Sequence, residues 1–379
     1  MPQNLSNTRI QSIDILRGAI MILMAIDHVR VYSGLPAGGQ TAGIFFTRWV
    51  THFCAPGFVF LAGAGIFLYG NKIRNNKKLA GFLLSRGLLL VLLEVTLIRF
   101  FWTFNFNYTE FTLAGVIWML GWCMILMSAF IWLKPIPAGI AGLVIIIGQQ
   151  LFQYVTKVLP SSLHPFWEFI YPSGFDPPPH MAVLYVLVPW IGVMVIGYAF
   201  GTVFLMDRVK RKKICLWIGL SAILLFLIIG SVIILRETAD KDAPPFIFRL
   251  LNQRKYPASV LYLLMTLGPL IALMPYAENI KGSFAKILTL FGRVPFFYYL
   301  MHIPLIHLTA LLVNKIRVGI VHQEWYNSAP FVFVDEAQRW SLGLLYLVFI
   351  VDVIVLYFLC RWYANYKMSH PEKKWLKYI

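Results

Sequence analysis

SIDILRGAIMILMAIDHVR, residues Ser12 to Arg30, is apolar enough to enter a lipid bilayer, yet it carries Asp14, Arg17, Asp27, His28 and Arg30. A hydrocarbon core about 30 Å thick needs about 20 apolar residues per helix. Charged groups at that depth are costly, so they face the interior of a bundle, pair, or mark a site. At about 100° per residue, Asp14, Arg17 and His28 fall within roughly 60° of one another, with Met21, Met24 and Ala25 on the same face. Along the axis, Arg17 and His28 stand about 16 Å apart at 1.5 Å per residue. One face therefore carries a charge pair at one end and an imidazole at the other. For Asp14 and Arg17 alone, at i and i+3, mutual neutralisation near the membrane surface is an equally good account.

The rest of the chain sets this helix in a membrane. Its 379 residues are 59% hydrophobic and 13% charged, with a mean hydropathy of +0.72, which excludes a soluble globular domain. Aromatic residues make up 16%, as suits many membrane–water boundaries. The expected fold is all-α: a polytopic bundle of about ten transmembrane helices in a single domain spanning residues 1–379. The apolar runs lie near 12–32, 44–70, 78–102, 112–133, 136–154, 181–206, 213–235, 257–276, 284–314 and 341–363. The ninth contains Pro295 and Pro304, so it tilts, kinks or splits, and a split gives eleven segments. No strand-like alternation competes with the helical pattern. Cys54, Cys123, Cys215 and Cys360 lie in apolar runs without metal-ligand spacing and read as packing residues. No cleavable signal peptide precedes the first run.

Lys and Arg gather in the N-terminal tail (Arg9), in NKIRNNKK, beside Lys134, in DRVKRKK, at Lys281 and Lys286, and in the C-terminal tail. By the positive-inside rule these segments and both termini are cytoplasmic. The loop RETADKDAPPFIFRLLNQRKYP is the exception, with five basic residues on the outer side beside three acidic ones. The net charge of +17 is then topology and headgroup attraction, and scattered basic residues without a motif do not indicate nucleic acid. Two extracytoplasmic loops, 155–180 and 315–340, are rich in aromatics, the first with six prolines. They read as interfacial anchors or as a platform on which sugar rings stack. The chain shows neither a 20- to 50-residue period nor two matching halves.

Sorted by depth, Arg17, Arg86 and Arg293 fall in the inner half with Asp14. Asp27, His28, Arg30, Arg48, His52, Glu94, Arg99 and His307 fall in the outer half, with His302 and Asp352 nearer the middle. Guanidinium groups stay charged and fork onto phosphates, whereas histidine moves protons near neutral pH. A phosphate-bearing donor entering from the cytoplasm and reacting near the outer histidines accounts for both halves. Nothing in the sequence resembles a phosphate-binding glycine loop, a zinc signature or a serine-hydrolase elbow.

SIDILRG with MAIDHVR, then FCAPGFVFLAGAG (Phe53 to Gly65) and LFGRVPFFYYLMH (Leu290 to His302), resemble the bacterial heparan-α-glucosaminide N-acetyltransferase catalytic-domain family. These motifs cover about a fifth of the chain, and the arginine-to-histidine spacing of Arg17 and His28 also resembles the bacterial O-acyltransferase branch. The resemblance implies passage of an acetyl group from cytosolic acetyl-CoA to an amine or hydroxyl of an extracytoplasmic sugar or glycan. It places Arg17 and Asp14 near the donor channel and His28 at the motif histidine; Arg86 and Arg293, by their depth and charge, are further donor-binding candidates. Animal members carry their active histidine shortly after the first helix, but Ser33 to Gly43 here contains none, so His28 or His52 takes the role.

His28 is then expected to act as general base, with Asp27 or Glu94 orienting the site and His52, Arg48 or Arg30 stabilising the oxyanion. Direct transfer and a covalent acyl-histidine both stay open, as does a homodimer. No metal is expected. A second reading, a proton-coupled transporter or flippase using the same groups as a relay, also stays open.

Overall fold

The structure is a computed structural model and describes residues 10–38, 41–109, 111–237 and 243–378. Arg9, Asp240, Lys241 and Asp242, which entered the charge comparison, and Gly39 and Gln40 of the loop after the first helix lie outside the described residues. The opening stretch forms α1, Gln11–Tyr32. A 3-10 turn, Val50–Phe53, joins α2 (Ala42–Trp49) to α3 (Cys54–Ile73). Helix α4 (Asn76–Leu93) passes through a π turn, Glu94–Ile98, into α5 (Arg99–Thr103). Strand β1 (Thr112–Ala114) leads into α6 (Val116–Phe130), followed by α7 (Pro135–Ile147) and the short α8 (His164–Trp167). Strand β2 (Met181–Val183) precedes α9 (Trp190–Phe200), α10 (Arg208–Arg236), α11 (Phe246–Leu251) and α12 (Val260–Ala277). The chain closes with α13 (Gly282–Arg293), α14 (Pro295–Val318) and α15 (Leu342–Ser369).

Several helices begin where a short polar side chain accepts a backbone N–H that the first turn leaves unpaired. Asn75 accepts from Lys78 at 2.9 Å, Asp207 from Lys210 at 3.0 Å and Ser259 from Tyr262 at 3.1 Å. The ninth apolar run splits at Val294. Pro295 stands in the first turn of α14, where its missing N–H costs nothing, and it disfavours helical backbone in the residue before it.

Each of the ten apolar runs contains helix; α1, in the first, is long enough but too rich in charged residues to count among the apolar spans. Among the described residues, six helices are long and apolar enough to cross a membrane: Ala42–Ile73, Asn76–Thr103, Arg208–Arg236, Val260–Ala277, Pro295–Val318 and Leu342–Ser369. A seventh would be Pro135–Ile147 with Gln149–Lys157, which are bent by 67°. Val116–Phe130 and Trp190–Leu205 are apolar but shorter, because the residues before them leave the helix. Thr112–Ala114 and Met181–Val183, placed by their apolarity at the heads of two helical runs, instead pair as a parallel two-stranded ladder. The protein is an all-α, multi-pass membrane protein, with that small ladder among its described residues.

The chain divides into two compact units interleaved in sequence. The first gathers Ala55–Val95 with Thr112–Glu278. Its helices meet at small residues, where backbones approach closely in the absence of a hydrophobic drive between helices. A Cβ on Gly63 would lie 2.0 Å from the Met194 carbonyl oxygen, and one on Gly197 would lie 2.1 Å from that of Phe60, which locks α3 against α9. In the same unit Arg211 meets Glu278 at 2.8 Å. The loop at 155–180 is organised from within: Glu168 accepts from Ser173 N at 2.8 Å, and the Trp167 indole donates to Phe152 O at 3.0 Å.

The second unit gathers Gln11–Cys54, Thr96–Phe111 and Asn279–Ile379, with α1 packed on α13, α14 and α15. Gly18 lies against Leu288, and Gly292 against Asp14, each so close that an added Cβ would come within 1.9 Å of a carbonyl oxygen. Because 288 to 292 rises as 18 to 14 falls, α13 runs antiparallel to α1. The break at Val294 reverses the chain, and α14 climbs back parallel to α1.

Candidate functional site

The α13–α14 pair gives the two ends of α1 different company. At the lower end, Asp14 is buried and its backbone lies under Gly292, so the next residue, Arg293, leaves α13 beside the Asp14–Arg17 turn. Arg17 is half-buried there and Arg293 is exposed.

At the upper end, His28 Nδ1 lies 2.6 Å from His302 Nε2. The two rings stack with centroids 4.8 Å apart, and the Trp102 ring meets His28 edge-on, also at 4.8 Å. His302 is fully buried, and its Nδ1 lies 2.6 Å from the Tyr299 carbonyl oxygen and 3.2 Å from that of Tyr298. A carbonyl only accepts, so His302 Nδ1 carries a hydrogen. In the neutral pair His302 Nε2 is then the acceptor, and His28 Nδ1 must donate to it. His28 Nε2 is left with its lone pair, the form a base or nucleophile requires.

An aromatic wall fixes this arrangement. Tyr32, one turn above His28, donates to the Trp102 carbonyl at 2.6 Å and packs against Trp102, His307 and Tyr326. Tyr326 donates to Tyr32 O at 3.3 Å and accepts from Asn314 at 3.1 Å; burial pushes its phenol up to about 12, so it stays a donor. The His307 ring stacks on Phe104 at 3.9 Å. The 315–340 segment, whose first residues are the last turn of α14, reaches this end: Gln323 donates to Thr103 O at 2.7 Å and Asn105 to Asn327 O at 3.2 Å.

The other expected site residues have more local surroundings. Asp27 pairs with Arg30 at 3.0 Å, and Arg30 also donates to Leu35 O at 2.9 Å, closing the end of α1. His52 is buried in the Val50–Phe53 turn, preceded by Arg48 on α2. Arg99 is a loop organiser: it donates to Phe111 O at 3.1 Å and Asn105 Oδ1 at 2.8 Å and to the carbonyls of Asn105 and Asn107, under the Tyr108 ring. Asp352 accepts from Thr309 at 2.8 Å between α15 and α14.

Glu94 and Arg86 belong to the first unit. Glu94 opens the π turn and accepts backbone hydrogen bonds from Gly115, Ile117 and Trp118, which caps the N-terminus of α6. A Cβ on Gly115 would come within 2.1 Å of that carboxylate, so glycine is what lets it in. Arg86 lies over the Phe82 ring at 5.9 Å. Tyr32 escaped the sequence reading, although its helical position, four residues beyond His28, puts it on the same face.

The family profile described as heparan-alpha-glucosaminide N-acetyltransferase, catalytic, matches residues 9–237, more than half of the chain. The chain belongs to that family. As a member of the heparan-alpha-glucosaminide N-acetyltransferase family, it is a membrane acyltransferase. No curated protein matches the chain. The matched segment holds Arg17, His28 and Glu94, whereas Arg293, His302 and Tyr326 lie beyond it.

Proposed function

We propose that this protein transfers an acetyl group from acetyl-CoA on the cytoplasmic side to an amine or hydroxyl of a sugar or glycan on the outer side. The observation that carries the reading is His28 on α1, whose Nδ1 stands 2.6 Å from His302 Nε2, so that in the neutral pair the lone pair is on His28 Nε2. His28 takes the proton from the acceptor as it attacks the thioester carbonyl, with a carbonyl, two imidazoles and an indole edge already in position. Arg17, with Arg293, supplies the cations for the donor's phosphates, and Asp14 holds the turn that carries Arg17. The cationic end of α1 and its histidine are about 16 Å apart along the axis, which suits a donor whose phosphates and reactive carbon lie at opposite ends of a flexible arm.

On this reading residues 1–379 act as one acyltransferase domain in an inner membrane, with both termini cytoplasmic. The loops at 155–180 and 315–340 are extracytoplasmic. Asp27 and His52 support the site from a distance, and Glu94 holds the fold of the first unit. The test is acetyl transfer to a panel of amino and neutral sugars by purified protein in detergent. Wild type turns over and His28→Ala does not. Failure of well-folded wild type to bind acetyl-CoA at all would overturn the reading in favour of a proton-coupled transporter.

A further inference from the structure

His302 lies 274 positions from His28 in sequence, yet its Nε2 stands 2.6 Å from His28 Nδ1. We infer that His302 is a positioning residue: it holds His28 in the Nδ1–H form and thereby makes Nε2 the nitrogen that receives the acceptor's proton. The inference rests on the acyl-transfer reading for its kinetic consequence but not for its structural one.

The chain of hydrogen bonds has one direction. Tyr299 O can only accept, so His302 Nδ1–H donates to it at 2.6 Å. His302 Nε2 then offers a lone pair, and His28 Nδ1–H donates to it. A backbone carbonyl thus does for this pair what a carboxylate does elsewhere: it fixes a tautomer two groups away. In contrast to a carboxylate, it adds no negative charge to the bundle interior, where one would be costly. A flip of the His28 ring would replace Nδ1 by a carbon and forfeit the bond to His302.

The proton balance follows. As the acceptor's oxygen or nitrogen forms its bond to the acyl carbon, its proton moves to His28 Nε2. The imidazolium keeps its Nδ1–H bonded to His302 Nε2. When the thiolate of the donor leaves, the same Nε2 proton can protonate it, and His28 returns to its starting form. His302 touches neither substrate, and its contribution is the orientation and tautomer of His28.

The test uses full-length protein in detergent, labelled with 15N-histidine, with His28→Gln to assign the His28 signals. The expected result is an Nδ1–H tautomer for His28 in wild type. The preference is lost in His302→Leu and kept in His302→Gln, whose side-chain oxygen can accept in place of the ring nitrogen. In steady-state kinetics His302→Leu lowers kcat by roughly 10- to 100-fold at unchanged KM for acetyl-CoA, and His302→Gln restores part of the loss. An Nε2–H tautomer for His28 in wild type would overturn the inference, and so would a wild-type kcat in His302→Leu. The tautomer measurement needs no substrate, so a protein that shows the expected tautomer but no acetyl transfer sinks the acyl-transfer reading and leaves the positioning role standing.

Discussion

At Arg17 the sequence and the structure make the same demand: a permanent cation held near a buried carboxylate, one end of a helix away from a histidine. Arg17→Ala is expected to weaken acetyl-CoA binding about 10- to 100-fold, the value of one or two charge-assisted hydrogen bonds, as measured by calorimetry in detergent. Arg17→Lys should recover only part, because an ammonium cannot fork onto phosphate oxygens. Glu94 makes a different kind of prediction. Its carboxylate caps α6, so Glu94→Leu should cost about 0.5–2 kcal/mol and lower the thermal midpoint, with Glu94→Gln milder because it keeps an acceptor oxygen. The periodicity of residues 12–30 shows that Arg17 and His28 share a face, since a helix converts spacing directly into angle. Neither the partner of His28 nor the duty of Glu94 could be read that way. His302 meets His28 across 274 residues, and Glu94 meets the helix N-terminus at Gly115 to Trp118, both through chain folding that no local pattern encodes.

At the scale of elements, the glycines of the α1–α13 crossing are the most sensitive positions in the second unit. Gly18→Ala and Gly292→Ala each place a methyl about where a backbone oxygen already sits, so α1 and α13 must separate. Each should cost at least about 2 kcal/mol of stability, visible as a lower midpoint in detergent, and should weaken acetyl-CoA binding more than the same change at exposed Gly81, which has open space around it. The apolar runs were legible because lipid demands continuous hydrophobicity, and Pro295 and Pro304 marked the ninth run as tilted, kinked or split; only the structure shows that Pro295 splits it while Pro304 stays inside α14. What apolarity alone conceals is how much of each run is helix. Thr112–Ala114 and Met181–Val183 are as greasy as the helices they precede, yet they satisfy their backbone groups by pairing with each other.

At the scale of the molecule, the basic loops predict a topology that can be checked with thiol chemistry. All four native cysteines are buried, so a membrane-impermeant maleimide should meet little background. A cysteine in place of Lys210, on the cytoplasmic face of the proposed topology, should react only after the membrane is permeabilised, and one in place of Phe333 should react in intact cells. The opposite pattern would invert the orientation and with it the direction of transfer. The α13–α14 reversal has a further consequence. One continuous piece of chain grips α1 at Gly18 and Asp14 through α13, and again at His28 through α14. The gap between cation and histidine is therefore set like the jaws of a fixed-span gauge, with α1 as its bar. An acyl thioester on a carrier shortened between phosphate and sulfur can engage one jaw at a time, and should react with a much lower kcat/KM than acetyl-CoA in wild type. In Arg17→Ala, where one jaw is gone, that discrimination by length should largely disappear.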